Sequence, residues 1–187
     1  MPPLVAPALT KVLARYRDVP GATVISAAFD RDRPHTRWSR SDGTLGREPI
    51  VFAYSITKTM IAMILFRRVE QGQLSLDDPI GRWFPDVAHG DTIPIWRVLQ
   101  HSAGIPDYGA DPDYHEALRK HPGEPWTFDD YADRSYRRGL DFAPGEGWAY
   151  SNPGYMLLRE LITILDGRSF AKVFDEEIAR PLGLQET

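Results

Sequence analysis

Ser55 and Lys58 lie three residues apart in the segment Ser55-Ile56-Thr57-Lys58, and together they could form a nucleophile and its base. At this spacing on a helix the two side chains share one face, so the amine can reach the hydroxyl. A serine attacks a carbonyl once a neighbouring base takes its proton, and a lysine serves if burial lowers its pKa. A helix N-terminus at Ser55 would also offer backbone N–H groups to an oxyanion. The short pattern can arise by chance, but its place at the start of an apolar helix favours acyl transfer.

Tyr150, Ser151 and Asn152 form the second group of interest. They follow the turn-rich residues 142–148 and precede a helix expected to begin near Gly154, so we predict a loop aimed by a helix. A tyrosine held near a lysine ammonium can accept the proton of a serine and return it to a leaving group. Asn152 could bind a substrate amide with both its donor and its acceptor. By itself, however, the tripeptide is also typical of a simple turn.

The helix that must position Ser55 and Lys58 spans residues 55–71, which contain no Pro or Gly. Because residues 56–65 are apolar nearly all round, we expect this helix to be buried. Gly72 is well placed to cap its C-terminus.

The remaining elements predict an α+β chain. Residues 8–16 predict a short helix, and residues 22–29 and 36–39 predict a β-hairpin. Residues 74–147 are rich in Pro, Gly and Asp and predict an irregular, mostly helical lobe. Amphipathic helices follow over residues 155–165 and 170–178, the second stopped by Pro181. No linker divides the chain, so we predict one incomplete domain over residues 1–187, with the N-terminal helix and hairpin in 1–54 and a mostly helical region in 55–187.

Several landmarks occur in a fixed order along the chain. They are Ser-Ile-Thr-Lys at 55–58, Leu-Ser-Leu-Asp-Asp-Pro-Ile at 74–80, Val-Leu-Gln-His-Ser-Ala-Gly-Ile-Pro-Asp at 98–107, Phe-Ala-Pro-Gly at 142–145 with Tyr-Ser-Asn at 150–152, and Pro-Leu-Gly-Leu at 181–184. In this order they resemble the serine β-lactamase and penicillin-binding-protein family, in particular class C β-lactamases, D,D-peptidases and related esterases. The resemblance covers nearly the whole chain from residue 20 onward.

The resemblance implies a β-lactamase/transpeptidase-like fold and a set of residue roles. Ser55 would be the acylated nucleophile, Lys58 and Tyr150 the proton-transfer pair, and Asn152 a substrate-binding residue. Members act on β-lactams, D-amino-acid peptides or small esters and amides through an acyl-enzyme, so the implied partner is a small-molecule substrate. No metal or organic cofactor is implied. His101, at a helix end, is expected to be a fold-stabilising hydrogen bonder rather than a general base.

One departure from the family pattern concerns the C-terminus. Family members continue into strands with a third motif, Lys or His followed by Ser/Thr and Gly, which supply an oxyanion donor and a wall of the cleft. This chain ends at Thr187, so we expect a C-terminally truncated domain that lacks the C-terminal strands of its antiparallel sheet. Loss of one oxyanion donor costs about 10² to 10³ in rate. Either the chain is a segment of a longer enzyme, or a homo-oligomer or complementing chain supplies the strands.

The alternative function is a catalytically inactive or fragmentary module that serves in binding or assembly. A Ser-His-Asp hydrolase is less favoured because the chain has no Gly-x-Ser-x-Gly elbow, and zinc hydrolysis lacks a His-x-His or His-Glu-x-x-His spacing. A net charge of −4 without a basic stripe argues against nucleic-acid binding. The longest apolar run, residues 60–66, is far below the about 20 residues of a membrane span. The N-terminus lacks the features of a signal peptide, which predicts a cytoplasmic protein.

Overall fold

The computed structural model describes residues 11, 14, 15, 24–30, 33–42, 52–124 and 126–184. The chain divides into two compact units, Met1–Phe52 and Ala53–Thr187. In the first unit, strand β1 (Val24–Asp30) pairs antiparallel with β2 (Arg33–Asp42), and the register becomes irregular next to Asp30. The helix predicted over residues 8–16 lies mostly outside the described residues. The remainder of the predicted sheet, and the predicted domain boundaries, stay predictions.

The second unit is helical. Its α-helices are α1 (Thr57–Glu70), α2 (Ile95–Leu99), α3 (Pro112–Lys120), α4 (Phe128–Asp133), α5 (Asn152–Asp166), α6 (Phe170–Phe174) and α7 (Arg180–Leu182). Short 3₁₀ turns lie at Tyr54–Ile56, Ile80–Arg82, Gly90–Thr92, Tyr108–Ala110 and Tyr136–Arg138, and a π-helical turn at Asp175–Ala179 joins α6 to α7.

Pro181 does not stop the last helix where the sequence predicted. It lies in the first turn of α7, directly after the π-helical turn, and the Glu177 carbonyl four residues before it accepts instead from Arg67 Nη1 at 3.2 Å. The chain instead leaves the helix at Gly183, whose φ of 66° is the left-handed conformation that glycine adopts without steric cost.

Among the described residues, helix α1 is buried on one face and exposed on the other, so the predicted burial is met only in part. Ile61, Ile64 and Leu65 face the core, whereas Met63 and Phe66 are 45% and 46% exposed. The buried positions follow helical spacing, and this face is the one that packs against α5. The segment therefore contains more apolar side chains than the described residues bury.

Helices α1, α2 and α5 enclose the centre of the core. The fully buried side chains are Ile64, Leu65, Ile80, Ile93, Ile95, Leu157, Leu158, Leu161, Ile162, Val98 and Val173. Complete burial of each such side chain contributes about 1.5–3 kcal/mol. Because α5 supplies four of these residues and packs on both α1 and α2, it fixes the positions of the two other helices.

A buried ion cluster ties α1 to the C-terminal end of α5. The Arg68 side chain, 3% exposed, lies 2.8 Å from Asp166 and 2.5 Å from Glu177. A buried guanidinium is tolerated only when it is paired, and removal of one partner of such a pair costs about 3–5 kcal/mol. With one end of α1 held in this way and its middle packed on α5, the N-terminal turns of both helices are brought together at the opposite end.

Candidate active site

Ser55 and Lys58 lie at the beginning of α1, as their spacing predicted. Ser55 is exposed within the 3₁₀ turn that precedes the helix, and Lys58 is half-buried. The Lys58 Nζ donates to the Ser55 Oγ over 3.4 Å. Tyr54, directly before Ser55, has a φ of 46°. A non-glycine residue in this left-handed region is uncommon, and such strained positions concentrate at functional sites.

Tyr150 and Asn152 lie where the chain enters α5, and the structure corrects the predicted start of this helix. Asn152 is its first residue instead of part of a loop, because the Ser151 hydroxyl caps the helix and accepts a hydrogen bond from Gly154 N at 3.1 Å. Pro153 occupies the first turn, as prolines often do. Ser151 is only 4% exposed, so this hydroxyl stabilises the helix end rather than facing a substrate.

The structure brings all four predicted site residues into one hydrogen-bonded network. The Tyr150 hydroxyl lies 2.7 Å from the Ser55 Oγ. The Lys58 Nζ donates to Asn152 Oδ1 at 2.7 Å and lies 4.9 Å from the centre of the Tyr150 ring. The serine hydroxyl thus has two potential proton acceptors, and the phenol oxygen is the nearer.

The surroundings of Tyr150 make its phenol more acidic. Partial burial acts to raise the pKa of Tyr150, but hydrogen bonding to Lys58 and Ser55 and the positive charge of Lys58 outweigh it, so the pKa is lowered from 10.0. A nearby cation favours the charged form of an acid, here the phenolate. Tyr150 is therefore suited to take a proton directly from Ser55.

Residues 101–107, which we term the anchoring loop, hold the segment that carries Tyr150 and Asn152. The His101 carbonyl accepts from Ala149 N at 3.1 Å, and His101 Nδ1 accepts from Ser151 N at 3.1 Å. The next residue after Ser151, Asn152, donates its backbone N–H to Asp107 Oδ1 at 2.8 Å. The loop therefore fixes the backbone on both sides of Tyr150.

His101 has the structural role that the sequence favoured. Because its Nδ1 accepts a hydrogen bond, the ring is neutral and its proton lies on Nε2. Burial lowers the pKa of His101, the charge of Lys58 lowers it further, and Asp107 opposes both. The ring also packs against Tyr150, with centroids 4.6 Å apart, and against Tyr155 at 5.1 Å.

Sequence reasoning missed the contact between Asp107 and Asn152. An aspartate after a proline is typical of a turn, and Asp107 does cap the 3₁₀ turn Tyr108–Ala110 by accepting from Gly109 N. No local pattern, however, indicates that the same carboxylate reaches a residue 45 positions later.

Within the described part of the chain, no group of three His, Cys, Asp or Glu side chains is placed to hold a metal ion. None of the helices described has the length and apolar character needed to cross a membrane.

The chain is similar to several known proteins, two of which are named as hydrolases. D-alanyl-D-alanine-carboxypeptidase/endopeptidase AmpH of Escherichia coli K12 is 27% identical over 147 residues, covering 75% of this chain and 37% of that protein. The structure resembles a D-stereospecific amidohydrolase from Streptomyces sp. (TM-score 0.83, 28% identity, 95% of this chain and 55% of that one). It also resembles an octameric penicillin-binding protein homologue from Pyrococcus abyssi (TM-score 0.71, 28% identity, 96% and 42%).

The chain spans about 37% to 55% of the length of these relatives. A family model described as Beta-lactamase matches residues 11–187, nearly the whole chain. These neighbours also establish the β-lactamase/transpeptidase-like fold. The chain therefore belongs to the serine β-lactamase and penicillin-binding-protein family.

Proposed function

We propose that this site is that of a serine hydrolase which forms an acyl-enzyme on Ser55. The observation that carries the proposal is the 2.7 Å contact between the Ser55 Oγ and the Tyr150 hydroxyl, next to the ammonium of Lys58. A nucleophile within hydrogen-bond reach of a base, itself oriented by a third group, is the arrangement of nucleophilic catalysis.

The reaction follows from these contacts. Tyr150, as phenolate, takes the Ser55 proton while Oγ attacks the substrate carbonyl, and the carbonyl oxygen becomes an oxyanion at the start of α1. As the tetrahedral intermediate collapses, the bond to the leaving amine breaks and Tyr150 gives that amine the proton. Water then attacks the ester carbonyl while Tyr150 takes its proton; the bond from the carbonyl carbon to Oγ breaks, Tyr150 returns the proton to Oγ, and the acid product leaves. Lys58 stabilises the phenolate by its charge.

We propose peptides or amides of D-amino acids as the substrate class. The E. coli relative is named a D-alanyl-D-alanine carboxypeptidase and the Streptomyces relative a D-stereospecific amidohydrolase, so two of the three relatives are named for D-configured substrates. The exposed position of Ser55 fits access by such a small molecule. β-Lactams and small esters, which also carry a reactive carbonyl, serve as probes of the same nucleophile.

The association of this chain with copies of itself or with a complementing chain stays a prediction, which light scattering can test.

Intact-mass spectrometry tests the proposal. After incubation with a β-lactam or an activated ester, we expect one covalent adduct on the chain, absent in Ser55→Ala. Ser75→Ala is the matched control, since Ser75 is also an exposed serine but lies in a turn outside the network. With a D-amino-acid amide, release of the amine should likewise depend on Ser55. Labelling that persists in Ser55→Ala contradicts the proposal, and complete inertness of the unmodified chain favours a binding or assembly module.

A further inference from the structure

The Asp107 carboxylate accepts hydrogen bonds from three nitrogen atoms of the protein. Oδ1 accepts from Asn152 N at 2.8 Å and from Asn152 Nδ2 at 3.1 Å. Oδ2 accepts from Gly109 N at 3.2 Å, and Asn152 Nδ2 lies 3.4 Å from it. Both oxygens of Asp107 are therefore engaged by other groups of the protein, and Asn152 supplies two of the three donors.

These contacts determine which way the Asn152 amide faces. The Lys58 ammonium can only donate and the Asp107 carboxylate can only accept, so Oδ1 of Asn152 must face Lys58 and Nδ2 must face Asp107. The reverse orientation would place two donors together at 2.7 Å and two acceptors together at 3.1 Å. The amide is thus held at both ends.

We propose that Asp107 is a positioning residue that fixes the Asn152 amide, so that Asn152 in turn holds the Lys58 ammonium beside Ser55 and Tyr150. This inference rests on the proposed function of Ser55. The line of contacts runs from Asp107 through Asn152 and Lys58 to the Ser55 Oγ, with separations of 3.1, 2.7 and 3.4 Å. Hydrogen bonds arranged in series polarise one another, so the carboxylate makes Asn152 Oδ1 a stronger acceptor for Lys58.

The arrangement also sharpens the role of Asn152 toward substrate. Its oxygen is engaged by Lys58 and one proton of Nδ2 by Asp107. The second Nδ2 proton remains to donate to a substrate carbonyl, and Asp107 determines its direction. Without Asp107 the amide can rotate, which releases Lys58 from its contact with Asn152 Oδ1.

The test compares the Ser55 acylation rate of the full chain with those of Asp107→Ala, Asn152→Ala and the double variant. We expect Asp107→Ala to slow acylation roughly 10- to 100-fold, the size of a small misplacement of reacting groups. Because Asp107 acts on the Asn152 side chain as well as on its backbone N–H, the double variant should lose less than the sum of the two single losses. In Asp107→Asn the single remaining oxygen satisfies either Asn152 or Gly109, so we expect an intermediate rate.

Asp111→Ala is the matched control. Asp111 also caps a helical turn, accepting from Asp113 N at 2.9 Å at the start of α3, but it has no contact with Asn152 among the interactions described. We expect it to lose comparable stability and to keep the acylation rate. An Asp107→Ala variant that acylates at the original rate overturns the proposal. So do additive losses in the double variant.

A second readout does not depend on catalysis. The side-chain amide protons of Asn152, assigned in NMR spectra by their absence from Asn152→Ala, should include one protected proton bonded to Asp107. We expect its protection to be lost in Asp107→Ala and kept in Asp111→Ala. If the unmodified chain is never acylated but this pattern holds, the proposed function fails while the positioning contact stands. An unprotected proton in the unmodified chain overturns the positioning contact itself.

Discussion

Ser55 and Lys58 are placed by one continuous stretch of chain, the 3₁₀ turn Tyr54–Ile56 and the start of α1, whereas Tyr150 and Asn152 are held by a loop from another part of the chain. The first pair needs only local helical geometry, in which side chains three apart lie close together. The second pair depends on hydrogen bonds from residues 101–107 to Ala149, Ser151 and Asn152. One half of the site therefore forms wherever this helical segment forms, while the other half requires the anchoring loop to be folded.

The largest effect is expected from Tyr150→Phe, which removes the proton acceptor but keeps the ring that packs on His101. Acylation of Ser55 should fall by about 10² to 10⁴, the usual contribution of general acid–base catalysis. The pKa of Tyr150 is lowered from 10.0, and the phenolate is the reactive form. The rate should therefore rise with pH through a midpoint below 10.0, and this rise should vanish in the variant.

Tyr155→Phe is the matched control for this pH profile. Tyr155 also packs on His101, but its hydroxyl donates to the Leu99 carbonyl at 2.8 Å. We expect the variant to keep both the rise and its midpoint. A pH profile unchanged in Tyr150→Phe would mean that Lys58 alone accepts the proton.

Substitutions at two glycines, one next to each half of the site, should change the stability of the protein by different amounts. Gly104, in the anchoring loop, has a φ of 79°, and an added Cβ would lie 2.1 Å from the Phe142 carbonyl oxygen. Gly72, after α1, has a φ of 69° but open space around it. We expect Gly72→Ala to cost about 1–2 kcal/mol of unfolding free energy from backbone strain alone, and Gly104→Ala to cost at least about 3 kcal/mol.

Urea unfolding of both variants, read beside the Ser55 acylation rate, checks this prediction. Gly104→Ala should lose acylation beyond its loss of stability, because the loop that holds Tyr150 is displaced, while folded Gly72→Ala should keep the original rate. Equal losses of acylation rate in the two variants would show that a displaced anchoring loop does not affect the site.

The smallest effect is expected from His101 and depends on pH. The pKa of His101 is lowered from 6.5, so the folded protein resists protonation of this ring more than the unfolded chain does. The stabilising contribution of neutral His101 is therefore present above pH 6.5, and it is lost as the pH falls through the pKa that His101 has in the folded protein. Lys58, Asp107 and Tyr150 face the ring, and Asp107 partly offsets the effect of Lys58.

His101→Asn tests this directly. Asparagine tolerates the φ of 64° at this position and keeps an acceptor near the place of Nδ1, but it does not titrate. Unfolding free energy measured between pH 8 and pH 5 should fall less steeply in the variant. His101→Ala, which leaves the buried Ser151 N–H without its acceptor, should be less stable by about 1 kcal/mol or more above pH 6.5, where the ring of His101 is neutral. Parallel curves for His101→Asn and the unmodified chain would contradict the prediction.

Most helices of the second unit could be predicted, with errors at their ends that have physical causes. The helix over 155–165 begins earlier, at Asn152, because Ser151 caps it and Pro153 suits its first turn. That signal is local and was readable as Ser-x-Pro before an apolar run. Burial around α1 was overestimated, since a pattern apolar on all sides does not say which side has a partner: Met63 and Phe66 remain exposed.

From the sequence alone it follows that Ser55 and Lys58 lie close together, because side chains three residues apart meet in a helical segment. The order of the landmarks, which indicated the family, is also a property of the sequence. The contact of Tyr150 with Ser55 across 95 positions and that of Asp107 with Asn152 across 45 come from the tertiary structure. Hydrogen bonds act over about 3 Å, and those separations are set by the packing of α1 and α2 on α5, which no local periodicity encodes.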